Sequence, residues 1–442
     1  MSWIGKQIRF CQRFTFAFWR KQKFIILISA FVSLSAFFLI PRAIALLGLN
    51  PTRNIGLVGK FTPSELPLEI QGLVSQGLTS LDNQNYPQPG IANNWEANSN
   101  HREYIFTLKD DLFWDDGKRV KSADIVYNFE DVTVQALDDQ KLKFSLKETF
   151  TPLPAVVSRP IFKKGLVGIG GYKIKKIKEN NGIIEKMVLS PKITFKFYPS
   201  EKAVKTAFKL GQINELWHIS NIDDLEQWNN LKIEPEVNYQ KFVAIFFDTQ
   251  LPKFSEKQIR QALAYSIKDR WEPKALGSVS PKSWAFNKNV KPYNHDLANA
   301  RKLLKEIGSE AVPQEIELST IPSLLPSAEA IKKDWEALGI KTKIKIIQTL
   351  DEGFEALLVT QEIPPDPDQY VLWHSTQPVN ISNYRSPKVD KLLEDGRKQE
   401  DKEERKQIYF DFQKTLSEDL PAIFLYHPTS YKVTKSSTKF AL

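Results

Sequence analysis

LTSLDNQNYPQPGIANNWEANSNHREYIFTLKDDLFWDDGKRVKSADIVYNF, residues 78–129, packs a loop, a strand, a reverse turn and a capped segment into one short run. Asp82 to Gly90 is polar and rich in turn formers, and the segment after it, 91–95, ends at a bulky Trp95. Tyr104, Phe106 and Leu108 alternate with Ile105, Thr107 and Lys109. That period of two predicts a strand with one packed face. Asp116-Gly117 predicts a turn whose glycine takes positive φ, so that 112–114 folds back beside Arg119-Val120. Ser122 stands where its hydroxyl can cap a helix presenting Ile125, Val126 and Phe129 on one face.

The rest of the chain alternates strand and helix signals. Ile193, Phe195 and Phe197 predict a strand, and Ser200 caps a helix with Val204, Ala207 and Phe208 that stops at Gly211. The continuous apolar run 243–247 predicts a central strand. Ser255-x-x-Gln258 has capping-box spacing ahead of Ile259, Ala262, Leu263 and Ile267. Leu297, Ala300, Leu304 and Ile307 mark a helix ended by Gly308, and Ile331, Trp335 and Leu338 another ended by Gly339. Between 340 and 346 isoleucine and threonine alternate with three lysines, which predicts a strand near a sheet edge. Such alternation suits a layered α/β lobe. Gly168-Ile169-Gly170-Gly171 has no Lys-Ser/Thr after it, so it reads as a tight crossover between domains and not as a phosphate cradle.

Charge is distributed unevenly. The formal net charge is +9, but residues 1–53 hold eight basic and no acidic residues, leaving 53 basic against 52 acidic in the remainder. No basic patch for nucleic acid is indicated. The excess instead flanks an uncharged run, 24–40, and predicts a cytoplasmic N-terminus followed by an exported domain. An uncleaved anchor over 24–49 is the favoured reading. The alternative is a cleaved signal peptide, for which Ala43-Ile44-Ala45 offers an A-x-A-like site. Cys11 is the single cysteine and precedes the apolar run, so there is neither an internal disulfide nor a lipid-anchor cysteine after it.

Catalytic chemistry finds no support. Five histidines, at 101, 218, 295, 374 and 427, have no metal-ligand spacing, and no nucleophile elbow or phosphate-binding loop is present. Asp366 and Asp368 alternate with Pro365 and Pro367, which makes a turn the better reading than a cation site.

Several ordered motifs point to one family. Gly77-Leu78, Pro89 to Trp95, Tyr104 to Leu108, Phe113 to Gly117, Ala123-Asp124-Ile125 and Asn128-Phe129 occur in register. Farther on come Arg260 to Arg270, Asp366-Pro367-Asp368, Asn380 with Tyr384, Val389 to Leu393, and Arg405, Tyr409, Gln413, Asp419 and Pro421. This series resembles the family 5 extracellular solute-binding proteins, the oligopeptide-, dipeptide- and nickel-binding proteins of ABC importers. The resemblance implies a bilobal α/β, periplasmic-binding-protein-like (Venus-flytrap) fold with an extra small domain, here preceded by one N-terminal transmembrane helix. The implied organisation is a basic cytoplasmic segment 1–23, an anchor or signal 24–49, a first lobe 54–240 with the small domain at about 78–165, a second lobe 241–425, and a return to the first lobe over 426–442. Hinge strands are expected near 237–242 and 423–427.

The function so implied is capture of a peptide or other small solute between the lobes by a monomeric, cofactor-free receptor. That receptor would be held at the cell membrane and would deliver its solute to an ABC permease. Trp217, Trp284, Tyr370 and Trp373 are the expected wall residues, with Glu362 and Asn380 as polar anchors; Phe61 is a further candidate, while Trp95, Trp114 and Trp335 read as core. Ile363 stands where peptide-binding relatives carry the aspartate that pairs with the ligand's amino group, with Glu362 beside it. The alternatives are nickel-chelate binding, through His374, and an ectodomain of the same fold without a transport role.

Overall fold

The second lobe is built about the strand Lys241–Phe247, whose continuous apolar sequence buries both faces. Val243, Ile245 and Phe247 pack with residues of the helices Lys257–Ser266, Leu297–Ile307 and Leu325–Leu338. Phe242, Ala244 and Phe246 pack on the other side with residues of Pro387–Lys398 and Lys402–Asp419. The result is a three-layer α/β/α lobe. Its five-stranded sheet runs in the order Lys341–Ile346, Glu315–Thr320, Ala356–Glu362, Lys241–Phe247, Ala422–Tyr426. Glu315–Thr320 is parallel to both neighbours, and Lys241–Phe247 is antiparallel to both of its own. The edge expected at 340–346 is present, and its lysines are matched across the ladder: Lys341 and Lys343 lie 2.8 and 2.6 Å from Glu315.

Residues 28, 29, 31, 35, 53–308, 310–349 and 353–435 are described by the computed structural model. The chain divides into two units, Met1–Arg53 and Asn54–Leu442. In the larger unit a seven-stranded sheet forms the first lobe, in the order Leu231–Val237, Thr429–Lys435, Glu215–Ile219, Arg53–Val58, Ile193–Tyr198, Ile183–Ser190, Lys173–Asn180. The chain crosses between the two large sheets at 237–241 and again at 426–429, where Asn238 N–H donates to Pro428 O at 2.9 Å. A four-stranded sheet, ordered Ala92–Ala97, Glu103–Leu108, Lys141–Leu146, Val132–Ala136, makes the small domain around Tyr104, Phe106, Trp114 and Phe144. Its predicted turn is present. Gly117 has φ +83°, Trp114 N–H donates to Lys118 O, and Val120 N–H returns to Leu112 O.

Three expectations are corrected. First, the helix after Ser122 is a single turn, Ser122–Asp124; beyond it Ile125 is buried, Val126 exposed, and Tyr127 and Phe129 half-buried and stacked. That is the alternation of an extended segment. Asp124 closes the turn by accepting from Lys121 N–H and Trp114 Nε1. Second, Ser255 does not cap the helix Lys257–Ser266. Pro252 starts a separate turn, Pro252–Ser255, within which the Ser255 hydroxyl donates to Pro252 O. Third, the membrane-spanning helix and the membrane-anchored location fall. Among the described residues no helix is long and apolar enough to cross a membrane. The run 24–40, at 17 residues, is at the short end of the roughly 17–25 that span a bilayer, and Pro41 interrupts it. Of 24–49 only Ile28, Ser29, Phe31 and Ser35 are described; the basic segment 1–23 lies outside the described residues.

Candidate functional site

Asp366-Pro367-Asp368 is the hub on which one side of the site is assembled. The Asp366 carboxylate accepts from both terminal nitrogens of Arg405, at 3.0 and 2.6 Å, and Arg405 Nε donates to Gly396 O. Asp368 accepts from Arg397 Nε at 2.9 Å. Burial pushes the Asp368 carboxyl above its ordinary range, against the pull of Arg397 and helped by the charge of Asp366. These buried, bidentate and charge-assisted bonds fix the start of Lys402–Asp419 and the end of Pro387–Lys398 to the loop between them and the sheet. From that platform Arg397 O accepts from both Thr151 N–H and the Thr151 hydroxyl at 3.0 Å, reaching the small domain.

Between this platform and the small domain lies a cavity of about 330 Å³. Tyr86, Trp95 and Tyr104 line it from the small-domain side and Trp284 from the second lobe. The Tyr86 and Trp284 rings meet edge-on at 6.0 Å, and Trp284 N–H donates to Gln84 O, so one loop contact ties the two walls together. The polar groups are distributed around this aromatic lining. His101 Nδ1 lies 2.8 Å from Glu400 Oε1; Lys402 Nζ is 4.0 Å from the Tyr86 ring centre; Arg405 Cζ is 5.4 Å from that of Trp284. Tyr104 donates its hydroxyl to Phe150 O at 3.1 Å, and burial pushes its pKa above the ordinary value, so it stays a neutral donor. Such a cavity offers apolar contact area together with both signs of charge.

The six expected site residues are not gathered at one point. Trp284 lines the cavity. Trp373 is 1% exposed and stacks on Phe246 in the second-lobe core, and Tyr370 packs against the same cluster, held between His374 at 4.1 Å and the Arg397 guanidinium at 3.9 Å. Asn380 is buried and spends its amide on Tyr384 O, Tyr384 N–H and His374 O, which ties up its own loop. Trp217 belongs to the first-lobe core, edge-on to Phe195 at 5.5 Å. Glu362 is exposed and 3.0 Å from Lys241 Nζ at the sheet end; Ile363 is buried. Phe61 packs edge-on to Phe197. Trp95, expected in the core, is half-buried and lines the cavity, whereas Trp114 and Trp335 are core.

Tyr86, His101, Tyr104, Glu400 and Lys402 were not singled out by sequence pattern as site residues. One signal was available for Lys402: a cation in the first turn of a long helix, where the peptide dipole favours Asp and Glu. Nothing local marks Tyr86 or His101.

The model of the bacterial extracellular solute-binding proteins, family 5, middle region, matches residues 86–383. The chain belongs to this family. Its members are solute-binding proteins and not catalysts. As a family 5 protein the chain is similar to the oligopeptide-binding protein AppA of Bacillus subtilis, 24% identical over 327 residues, a match that covers 63% of this chain and 60% of AppA. In structure it is similar to the ABC transporter substrate-binding protein CtaP of Listeria monocytogenes (TM-score 0.74, 20% identity, 88% of this chain and 95% of that one). It is also similar to NikZ of Campylobacter jejuni in complex with Ni(L-His), with TM-score 0.70 and 22% identity over 87% of this chain and 94% of that one. These likenesses establish the bilobal α/β fold with its small extra domain. Trp95, Tyr104, Trp284 and Asp366 of the cavity fall inside the family match, while Gln399, Glu400, Lys402 and Arg405 follow it.

Proposed function

We propose that this family 5 protein captures a short, peptide-like solute between its two lobes and delivers it to an ABC permease in the membrane. The observation that carries the reading is the cavity between small domain and second lobe, aromatic on both walls and furnished with a carboxylate, an ammonium and a histidine. Its volume, about 330 Å³, stands at the low end of the roughly 300–1,000 Å³ of ligand pockets, which suits a ligand of two or three residues. AppA and other relatives are named as peptide-binding proteins, which supports the same class. Among the described residues no three His, Cys, Asp or Glu are grouped to hold a metal ion.

Of the expected wall residues Trp284 is the one we assign to the cavity, with Tyr86, Trp95 and Tyr104 added. Both walls come from one chain, which suits a monomer. The near balance of charge beyond residue 53 gives nucleic acid no surface to prefer. Delivery requires the solute to favour the closed arrangement of the lobes, so solute and permease affinities are coupled.

Equilibrium dialysis of the full chain against a mixture of di- to pentapeptides, with mass spectrometry of what is retained, tests the assignment. Enrichment of di- and tripeptides is expected. Retention of no peptide, or of pentapeptides alone, contradicts it.

A further inference from the structure

We propose that the first lobe carries a docking surface for anionic lipid headgroups, the sheet face that presents Lys176, Lys178, Lys186 and Lys196. The contact is one of charge at the headgroup level, with no part of the lobe inserted. None of these lysines lines the cavity, and the inference does not depend on which solute is bound.

The strands Lys173–Asn180, Ile183–Ser190 and Ile193–Tyr198 are consecutive in the chain and form one end of the seven-stranded sheet. Lys178 stands directly opposite Lys186, and Lys186 directly opposite Lys196, so that a row of three lysines crosses the sheet. Lys176 shares this face, opposite Val188 in the neighbouring register. Ile177, Met187 and Phe195, also in register with one another, pack on the other face into the first-lobe core. Like charges set directly opposite one another across a ladder are destabilising. Little relieves them here. Lys178 lies 2.5 Å from Glu185 and Lys196 donates to Gln212 O at 2.9 Å, but Lys176 and Lys186 are exposed and have no ion-pair partner among the described residues.

The row belongs to a wider asymmetry. Residues 159–196 carry ten basic and two acidic side chains, while the rest of 54–442 carries 43 basic and 50 acidic. A basic region on an otherwise acidic domain orients the molecule in the field of an anionic surface. The four lysines are spread over three strands about 4.8 Å apart, a spacing that meets several phosphates and not one. No large apolar side chain of 159–196 is exposed to seal a protein interface. Val188 and Thr194 lie in register beside the lysines, and no aromatic ring is interleaved with them for a base to stack on. An array of headgroups needs only spaced cations, and such a cluster supplies them.

The competing role for these lysines is protection of the sheet edge from pairing with another chain. It suits Lys176 and Lys178 on the outermost strand. Lys186 and Lys196 stand on strands paired on both sides and guard no edge.

Amine-reactive footprinting of the full chain, read lysine by lysine by mass spectrometry, separates the two roles. Vesicles of phosphatidylcholine are compared with vesicles in which about a third of the lipid is phosphatidylglycerol. Because each lysine reports on itself, adsorption through the basic residues before 54 does not imitate the result. On the anionic vesicles labelling of Lys176 and Lys186 should slow by about threefold or more and recover in high salt. Lys302 and Lys333, exposed in the second lobe, should not change. The protection of Lys176 should be lost when Lys186→Glu and Lys196→Glu are combined and kept when both become arginine. Equal labelling on the two kinds of vesicle overturns the proposal, and so does equal protection of Lys302 and Lys333. Protection confined to the outermost strand, or persisting in the glutamate variant, also overturns it.

Discussion

Arg405 shows how a single residue holds the site's second-lobe wall. Its guanidinium is buried, forks onto Asp366 and donates to Gly396 O, while Tyr409 hydroxyl takes a fourth bond at 3.3 Å. Removing one partner leaves Asp366 buried and uncompensated. Arg405→Met should therefore cost about 3–5 kcal/mol of stability, measured by urea unfolding. His427 makes a prediction with pH. Its Nδ1–H donates to Lys241 O at 2.8 Å at the crossing between the lobes, its Nε2 is buried without a partner among the described residues, and burial lowers its pKa from the ordinary 6.5. The unfolded chain then binds the proton more readily than the folded one, so stability is lost as pH falls below about 6.5 and is recovered as it rises. The melting temperature of His427→Gln should drop less than that of the unaltered chain between pH 7.5 and 5.5. An equal drop would assign the acid sensitivity to other groups.

Elements were legible where one physical signal dominated. The alternation at Glu103–Leu108 and the apolar run at Lys241–Phe247 are both strands, and Ser200 caps its helix by accepting from Ala203 N–H. Signals that depend on neighbours were misread. Ser122 and Ser255 each have cap spacing, but extended backbone follows the first and a Pro-initiated turn consumes the second. The long hairpin of Lys173–Asn180 and Ile183–Ser190 went unread, because its lysine-rich outer strand is mostly exposed and shows little apolar period. The glycine-rich crossover was legible in kind. A Cβ on Gly168 or Gly170 would collide with the Val74 carbonyl, whereas one on Gly171 would meet nothing within 4 Å. Gly168→Ala should accordingly cost about 1–3 kcal/mol and Gly171→Ala less than about 0.5, by urea denaturation of the two variants side by side.

At the scale of the whole molecule the bilobal fold followed from motif order, but the site did not. The cavity joins Tyr86 to Lys402 and His101 to Glu400, pairs some 300 positions apart, and no local pattern announces such a meeting. Trp217, Trp284 and Trp373 are alike as sequence and all three are buried; only packing shows that Trp284 also lines the cavity. The anchor reading rested on composition, and the fold described from residue 54 to 435 does not depend on it. Binding of a solute to the folded chain alone makes binding and stability one equilibrium, and the most direct test uses that link. A thermal-shift titration of the full chain with Ala-Phe, alongside Trp284→Ala, should show a concentration-dependent rise worth about 2.7 kcal/mol at a hundred times the dissociation constant. The rise should be absent or far weaker in the variant. No rise in the unaltered chain, or an equal rise in both, would contradict capture of a short peptide in this cavity.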